Sequence, residues 1–106
     1  MAKYLLLYSG GSMPETEAES AAVIEAWTAW YTSLGSAVVD PGNPFTPLAK
    51  KIASNGAMSD SPAGTIASGY TILQAESLDQ AAKMAQGCPV LQGGAEISVF
   101  ETFDVM

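Results

Sequence analysis

The sequence predicts an α+β fold of the split βαβ, ferredoxin-like kind: an antiparallel sheet, two helices on one face, and an inserted β-hairpin. Three observations predict it. The signals along the chain run β-α-β, hairpin, β-α-β, an order that folds into one sheet with both helices on the same side. The strand segments YLLLY and GYTIL are apolar on both sides, so both faces of the sheet need cover. Finally, 48% of the 106 residues are hydrophobic and only 14% charged, more apolar material than a small monomer hides with ease. Two helices cover one face. A second copy is the economical cover for the other, since two-fold homodimers are the commonest oligomers, and two such sheets face to face form a dimeric α+β barrel.

Each element has a local cause. In KYLLLYS, Lys3 to Ser9, Tyr4, Leu6 and Tyr8 alternate with Leu5 and Leu7, which makes a strand with two apolar faces. GGSMPE breaks it. Ser12 and Glu15 stand at capping-box spacing, and Pro14 suits a first helical turn, where its missing N–H has no intrahelical partner to lose. Val23, Ile24, Trp27, Trp30, Tyr31 and Leu34 then recur at helical spacing, an apolar stripe facing the core. Glu15, Glu17 and Glu19 lie at the start of that helix, where the macrodipole favours negative charge. Solvated charge at a helix start explains them better than a metal site does. Gly35 supplies the stop.

SAVVD is a short second strand closed by the turn cluster PGNP. KKIAS and AMSD flank Asn55-Gly56, a pair suited to a type I′ hairpin turn because both residues accept positive φ. In GYTILQA, Tyr70, Ile72 and Gln74 share one strand face and Thr71 and Leu73 the other. ESLDQAAKMAQG is the second helix, with Ser77 and Gln80 as capping box, Leu78, Ala81, Ala82 and Ala85 inward, and Gly87 and Pro89 at its end. AEISVFETF closes the order as a strand with Ile97, Val99 and Phe103 on one face and Phe100 on the other. No linker or low-complexity tract interrupts residues 1–106, so a single domain is expected.

Charge narrows the partners. Four lysines, no arginine and no histidine oppose eleven carboxylates, for a net charge of −7. Phosphate backbones and anionic membrane surfaces are held by clustered Lys and Arg, so neither nucleic acid nor membrane is an expected partner. YLLLY is far shorter than the ~20 residues that span a bilayer, and no signal-peptide layout follows it. A soluble, cytoplasmic protein is expected. Cys88 is the only cysteine, so no internal disulfide forms, and zinc ligation from this chain alone lacks donors. No cofactor is expected.

KYLLLYSGG, AWTAWYTSLGSAVVDPGNPF, MSDSPAG and SGYTILQAESLDQAAKMAQGCPVL with AEISVFETF together resemble the YCII-related proteins, over Ala2 to Phe103. The stretch from Gly69 to Pro89 is the most specific part. The chain is similar also to the DGPF-type branch, in which Asp-Gly-Pro-Phe occupies the loop before the third core strand. Here that loop is Asp60-Ser61-Pro62-Ala63, which keeps the Asp and Pro. The resemblance implies a dimeric ferredoxin-like barrel and, in some members, small-molecule chemistry resting on a His–Asp pair. The histidine has no counterpart in this sequence, so general acid–base work falls to a carboxylate, a lysine or a tyrosine with a shifted pKa.

The candidate site residues follow from that. Asp60, at the end of the hairpin, and Asp40, in VVDPGNP, are the candidate catalytic carboxylates; each is also a common turn former. Trp27, Trp30, Tyr31, Asn43 and Tyr70 are the candidate ligand-binding residues, the aromatics because they pair an apolar body with a polar tip. Core packing is the alternative role for the rings, and turn stabilisation for Asn43. Lys50 and Lys51 blunt an edge strand, Cys88 lies past a helix end where no thiolate is favoured, and the SGGS segment, Ser9 to Ser12, lacks the lysine of a phosphate loop.

Three functions are compatible with this pattern. The first is a dimeric barrel that binds a small, largely apolar molecule in a pocket between helix and sheet. The second is a lyase- or isomerase-type enzyme that uses Asp60 or Asp40 with a Tyr hydroxyl. The third is a purely structural or protein-binding dimer.

Overall fold

The computed structural model describes residues 1–11, 15–46, 48–60 and 67–105. Strand β1 spans Ala2–Ser9, helix α1 Glu17–Leu34, β2 Val38–Asp40, β3 Lys50–Ile52, β4 Met58–Asp60, β5 Gly69–Ala75, helix α2 Leu78–Ala85 and β6 Glu96–Glu101; short 3-10 turns occupy Gly35–Ala37 and Pro89–Gly93. The main sheet has the order β2-β5-β1-β6, with β3 and β4 paired apart from it. All its pairings are antiparallel. Each helix therefore connects two strands with a third between them, the split βαβ arrangement in duplicate.

Period-two alternation sorts the sheet into two unlike faces. Tyr4, Leu6 and Tyr8 of β1 and Gly69, Thr71, Leu73 and Ala75 of β5 are buried, and the intervening residues are half-buried. The buried set lies under the helices, joined by Trp30, Ala81, Ala85 and Cys88. Complete burial of Leu6 and Leu73 contributes about 1.5–3 kcal/mol each. The opposite face carries Leu5, Leu7, Tyr70 and Ile72, half-buried, and Phe100, half-exposed. Leu5 pairs with both Ile72 and Phe100, and Leu7 with Tyr70, so these side chains form one contiguous apolar strip.

The molecule is a slab, 43 × 39 × 18 Å, with a radius of gyration of 15.1 Å; a compact domain of this length has about 13 Å. Its accessible surface is 7423 Å², against about 5,600 Å² for a compact monomer of the same mass. One sheet and one helical layer account for the thinness.

Local expectations are met at some ends and displaced at others. Ser77 Oγ accepts the Gln80 N–H (3.1 Å) and Gln80 Oε1 accepts the Glu76 N–H (2.6 Å), so α2 is capped as its sequence predicts. For α1, Ser12 and Pro14 lie outside the described residues, and the N-cap is Thr16, whose Oγ1 accepts the Glu19 N–H at 3.0 Å. Only Trp27, Trp30, Tyr31 and Leu34 of its stripe pack on the core; Val23 and Ile24 are exposed, because the first half of α1 has no described element beneath it. In α2, Leu78 and Ala82 are exposed and Met84 packs inward instead. β6 ends at Glu101, which leaves Phe103 exposed.

The hairpin turn also differs from the expected type I′. Asn55 does not adopt positive φ, whereas Gly56 does, at 89°. The Gly56 N–H bonds Ala53 O and the Ala53 N–H bonds Ala57 O, both at 2.8 Å. That is a type I turn followed by a left-handed glycine, a geometry that spares the asparagine a positive φ. Among the described residues no helix is long and apolar enough to cross a membrane.

Candidate functional site

The site is built around a bulge. Val38 pairs with Leu73 and Asp40 with Ile72, so the register shifts within β2. Leu73 is on the helix face and Ile72 on the apolar face. The extra residue thus turns Asp40 to the apolar side, a common use of bulges. There Asp40 Oδ2 accepts the Tyr70 hydroxyl at 3.3 Å. Both residues are half-buried. Phe45 stacks on the Tyr70 ring, with centroids 5.9 Å apart and planes 26° from parallel.

Backbone geometry holds this group in place. Asp40 Oδ1 accepts the Gly42 N–H at 2.8 Å, closing an Asx turn. Gly42 has φ 74°, and a Cβ there would stand 1.7 Å from the Tyr70 carbonyl oxygen, so only glycine fits. The loop continues along β5: Asn43 O accepts the Tyr70 N–H (3.3 Å) and the Phe45 N–H bonds Ser68 O (2.8 Å). Asn43 contributes through its backbone carbonyl, and its side chain is exposed.

Beneath the sheet, a chain of hydrogen bonds that starts among buried side chains ends on the same loop. Cys88 Sγ donates to Tyr8 OH (3.7 Å), Tyr8 OH to Thr71 Oγ1 (2.6 Å), and Thr71 Oγ1 to Pro41 O (3.0 Å). Tyr31 OH donates to the same carbonyl at 2.9 Å. Each hydroxyl spends its single proton inside the chain, and Pro41 O accepts two bonds, so every member is satisfied. Burial pushes the Tyr8 phenol far above its ordinary pKa, and it also raises those of Tyr31 and Cys88. All three stay protonated at neutral pH and act as fixed donors.

The predicted residues therefore divide. Asp40 and Tyr70 meet in one polar pair, with the Asn43 backbone beside them. Trp27, Trp30 and Tyr31 lie on the other side of the sheet, where Trp27 packs edge-on against Tyr8 and Trp30, with centroids 5.8 and 5.7 Å apart. Trp30 is buried and its Nε1–H bonds Met84 O at 3.1 Å. The space between α1 and the sheet is thus taken by the protein's own rings. Asp60 is remote from both groups in its bonding: it pairs with Lys50 at 2.8 Å on the exposed hairpin. A shallow depression of about 490 Å³ lies on the exposed first turns of α1, lined by Glu15, Thr16, Glu17, Ser20, Ala21 and Ile24. Among the described residues no three metal-ligating side chains converge.

Phe45, Gly42 and Thr71 were not singled out by sequence reasoning, which gave Tyr8 only as a sheet-face tyrosine whose hydroxyl needs a partner. Glycine inside PGNPF was a legible signal for a close backbone approach. The bulge that aims Asp40 leaves no mark in VVD. A comparison with protein-family models and with curated proteins finds no match to this chain.

Proposed function

We propose that this chain is a YCII-related dimeric barrel protein that binds a small, largely apolar molecule at the Asp40–Tyr70 end of its apolar sheet face, with a second copy covering that face. The single observation that carries the reading is the Asp40–Tyr70 hydrogen bond, with Phe45 stacked on Tyr70, set in an otherwise apolar strip. A few convergent polar groups within apolar walls are the usual composition of a small-molecule site. The location differs from the helix–sheet pocket expected from sequence because Trp27, Trp30 and Tyr31 fill that interface.

Support for the second copy is physical. The strip of Leu5, Leu7, Tyr70, Ile72 and Phe100 is the outer face of a two-layered slab, and the excess of accessible surface over a compact monomer, about 1,800 Å², exceeds the ~800 Å² that each partner of a standard interface buries. Part of that excess belongs to the projecting hairpin.

A second reading is carried by the same 3.3 Å contact. In it Asp40 takes a proton from a bound substrate while the Tyr70 hydroxyl holds the carboxylate's orientation, the role of a general base in a lyase- or isomerase-type reaction. Asp60 has no part in it.

Native mass spectrometry of freshly purified protein tests the first reading. The expected result is a dimer that carries a retained small molecule or binds the neutral apolar dye Nile red, with binding weakened at least several-fold in Tyr70→Ala. A monomer at micromolar concentration, or dye binding indifferent to Tyr70→Ala, overturns it.

A further inference from the structure

Of the eleven carboxylates in the chain, Asp40 alone is not exposed. It is half-buried on edge strand β2, level with Ile72. A carboxylate drawn out of water is costly unless donors and a cation replace its hydration. Donors do so in part: the Gly42 N–H on Oδ1 and the Tyr70 hydroxyl on Oδ2. No cation does. The four lysines are all exposed, the chain has no arginine or histidine, and the only ion pair among the described residues joins Lys50 and Asp60. The charge of Asp40 is thus left without a counter-ion from its own chain, in a molecule whose net charge is already −7.

The groups around that charge point to what completes it. The Tyr70 hydroxyl has spent its proton on Asp40, so the pair offers a ligand acceptors only. Beside it lie two aromatic rings, Tyr70 and the exposed Phe45, with centroids 5.9 Å apart. Ring faces attract cations and also receive apolar bodies.

We infer that the ligand of the Asp40–Tyr70 group is an organic cation, a protonated amine carried on an aromatic or alkyl body. The inference rests on the ligand site proposed above and names the class of molecule it takes. The ammonium donates to Asp40 Oδ2, and the body lies along Tyr70, Phe45 and Ile72. A carboxylate or phosphate would meet like charge with no cation to hold it. A neutral alcohol reaches the same acceptors without the gain from charge, and charge-assisted hydrogen bonds are roughly twice as strong as neutral ones. The field of the whole molecule acts in the same direction, drawing cations in and turning anions away.

The test uses the full chain and probes that share a phenyl ring on a short chain but differ in charge: 2-phenylethylamine, 2-phenylethanol and phenylacetate. Affinities are read by ¹H–¹⁵N NMR titration of the ¹⁵N-labelled protein at low ionic strength. The amine is expected to bind about tenfold or more tighter than the alcohol, with shifts centred on the Asp40, Gly42 and Tyr70 amides, and phenylacetate to give none. Asp40→Asn, in which the asparagine can keep the turn bond to Gly42, should bring the amine down to the level of the alcohol. Asp60→Asn changes the net charge equally and should leave the preference intact. The comparison of probes on the unaltered protein decides the matter even where Asp40→Asn does not fold. An amine no tighter than the alcohol, or a preference that survives Asp40→Asn or is lost equally in Asp60→Asn, overturns the cationic class, while Nile red binding that depends on Tyr70 shows that the site stands. Dye binding indifferent to Tyr70→Ala, with no probe shifting Asp40 or Tyr70, overturns the site and the class with it.

Discussion

A Cβ built on Gly42 would stand 1.7 Å from the carbonyl oxygen of Tyr70. That approach, at φ 74°, brings the Asp40 turn against β5 closely enough for the carboxylate to meet the Tyr70 hydroxyl. Gly42→Ala is therefore expected to cost about 2–4 kcal/mol, from the clash and the left-handed backbone together, and to lower Tm by roughly 10–20 °C. Gly56, at φ 89° with open space around it, provides the comparison: Gly56→Ala should cost only about 1–2 kcal/mol. Thermal unfolding followed by circular dichroism checks both. Equal losses for the two variants would refute the close approach.

Thr71, itself fully buried, occupies the middle of the hydrogen-bond chain from Tyr8 to Pro41. Thr71→Val keeps the shape and removes the oxygen, which leaves the Tyr8 hydroxyl without its acceptor. A loss of about 1–3 kcal/mol is expected. Tyr8→Phe in the same background should add little, since both partners are then gone, so a double-mutant cycle in urea is expected to be strongly non-additive. Additive losses would show that the two hydroxyls are not bonded.

Alkaline pH should destabilise the fold. Tyr8, Tyr31 and Cys88 have pKa values raised by burial above the ordinary 10.0 and 9.0. Below those ordinary values both folded and unfolded states hold the protons, and stability does not change with pH on their account. Above them the unfolded chain ionises first, binds fewer protons than the native state, and stability falls as pH rises. Urea midpoints measured from pH 7 upward should be level at first and decline above about pH 9. Tyr8→Phe should flatten the decline, and an unchanged slope would remove Tyr8 from its cause.

The two carboxylates singled out by sequence should behave oppositely. Asp60 and Lys50 are largely exposed, and such a pair contributes at most about 1 kcal/mol. Asp60→Asn is expected to leave Tm and Nile red binding within error. Asp40→Ala removes both the Gly42 and the Tyr70 bonds and should cost about 1–3 kcal/mol while weakening dye binding. Equal behaviour of the two variants would argue against a site at Asp40.

Leu7, half-buried and level with Tyr70 on the apolar face, tests the cover of that face. Leu7→Glu should give a folded monomer by light scattering, because a dry interface does not accept an unpaired charge. An unaltered dimer would place the interface elsewhere.

Much of this architecture was legible before any coordinates. GYTILQA became a strand with its predicted faces and Ser77 capped its helix as expected, because alternation and capping act within a few residues. The tyrosine at 70 and the aspartate at 40 were legible as candidates, but their meeting was not. It depends on a bulge within Val38–Asp40 and on the approach of Gly42 to β5, a strand about thirty residues further along. Likewise the aromatic stripe of α1 announced an apolar helix, whereas the assignment of Trp30 to core packing came from its bond to Met84. The sequence by itself determined which segments are strands and helices, and that both sheet faces are apolar, since those follow from local periodicity. Only the tertiary structure decided which carboxylate joins a tyrosine and which is left on the surface, because register, bulges and close backbone contacts arise between strands distant in the chain.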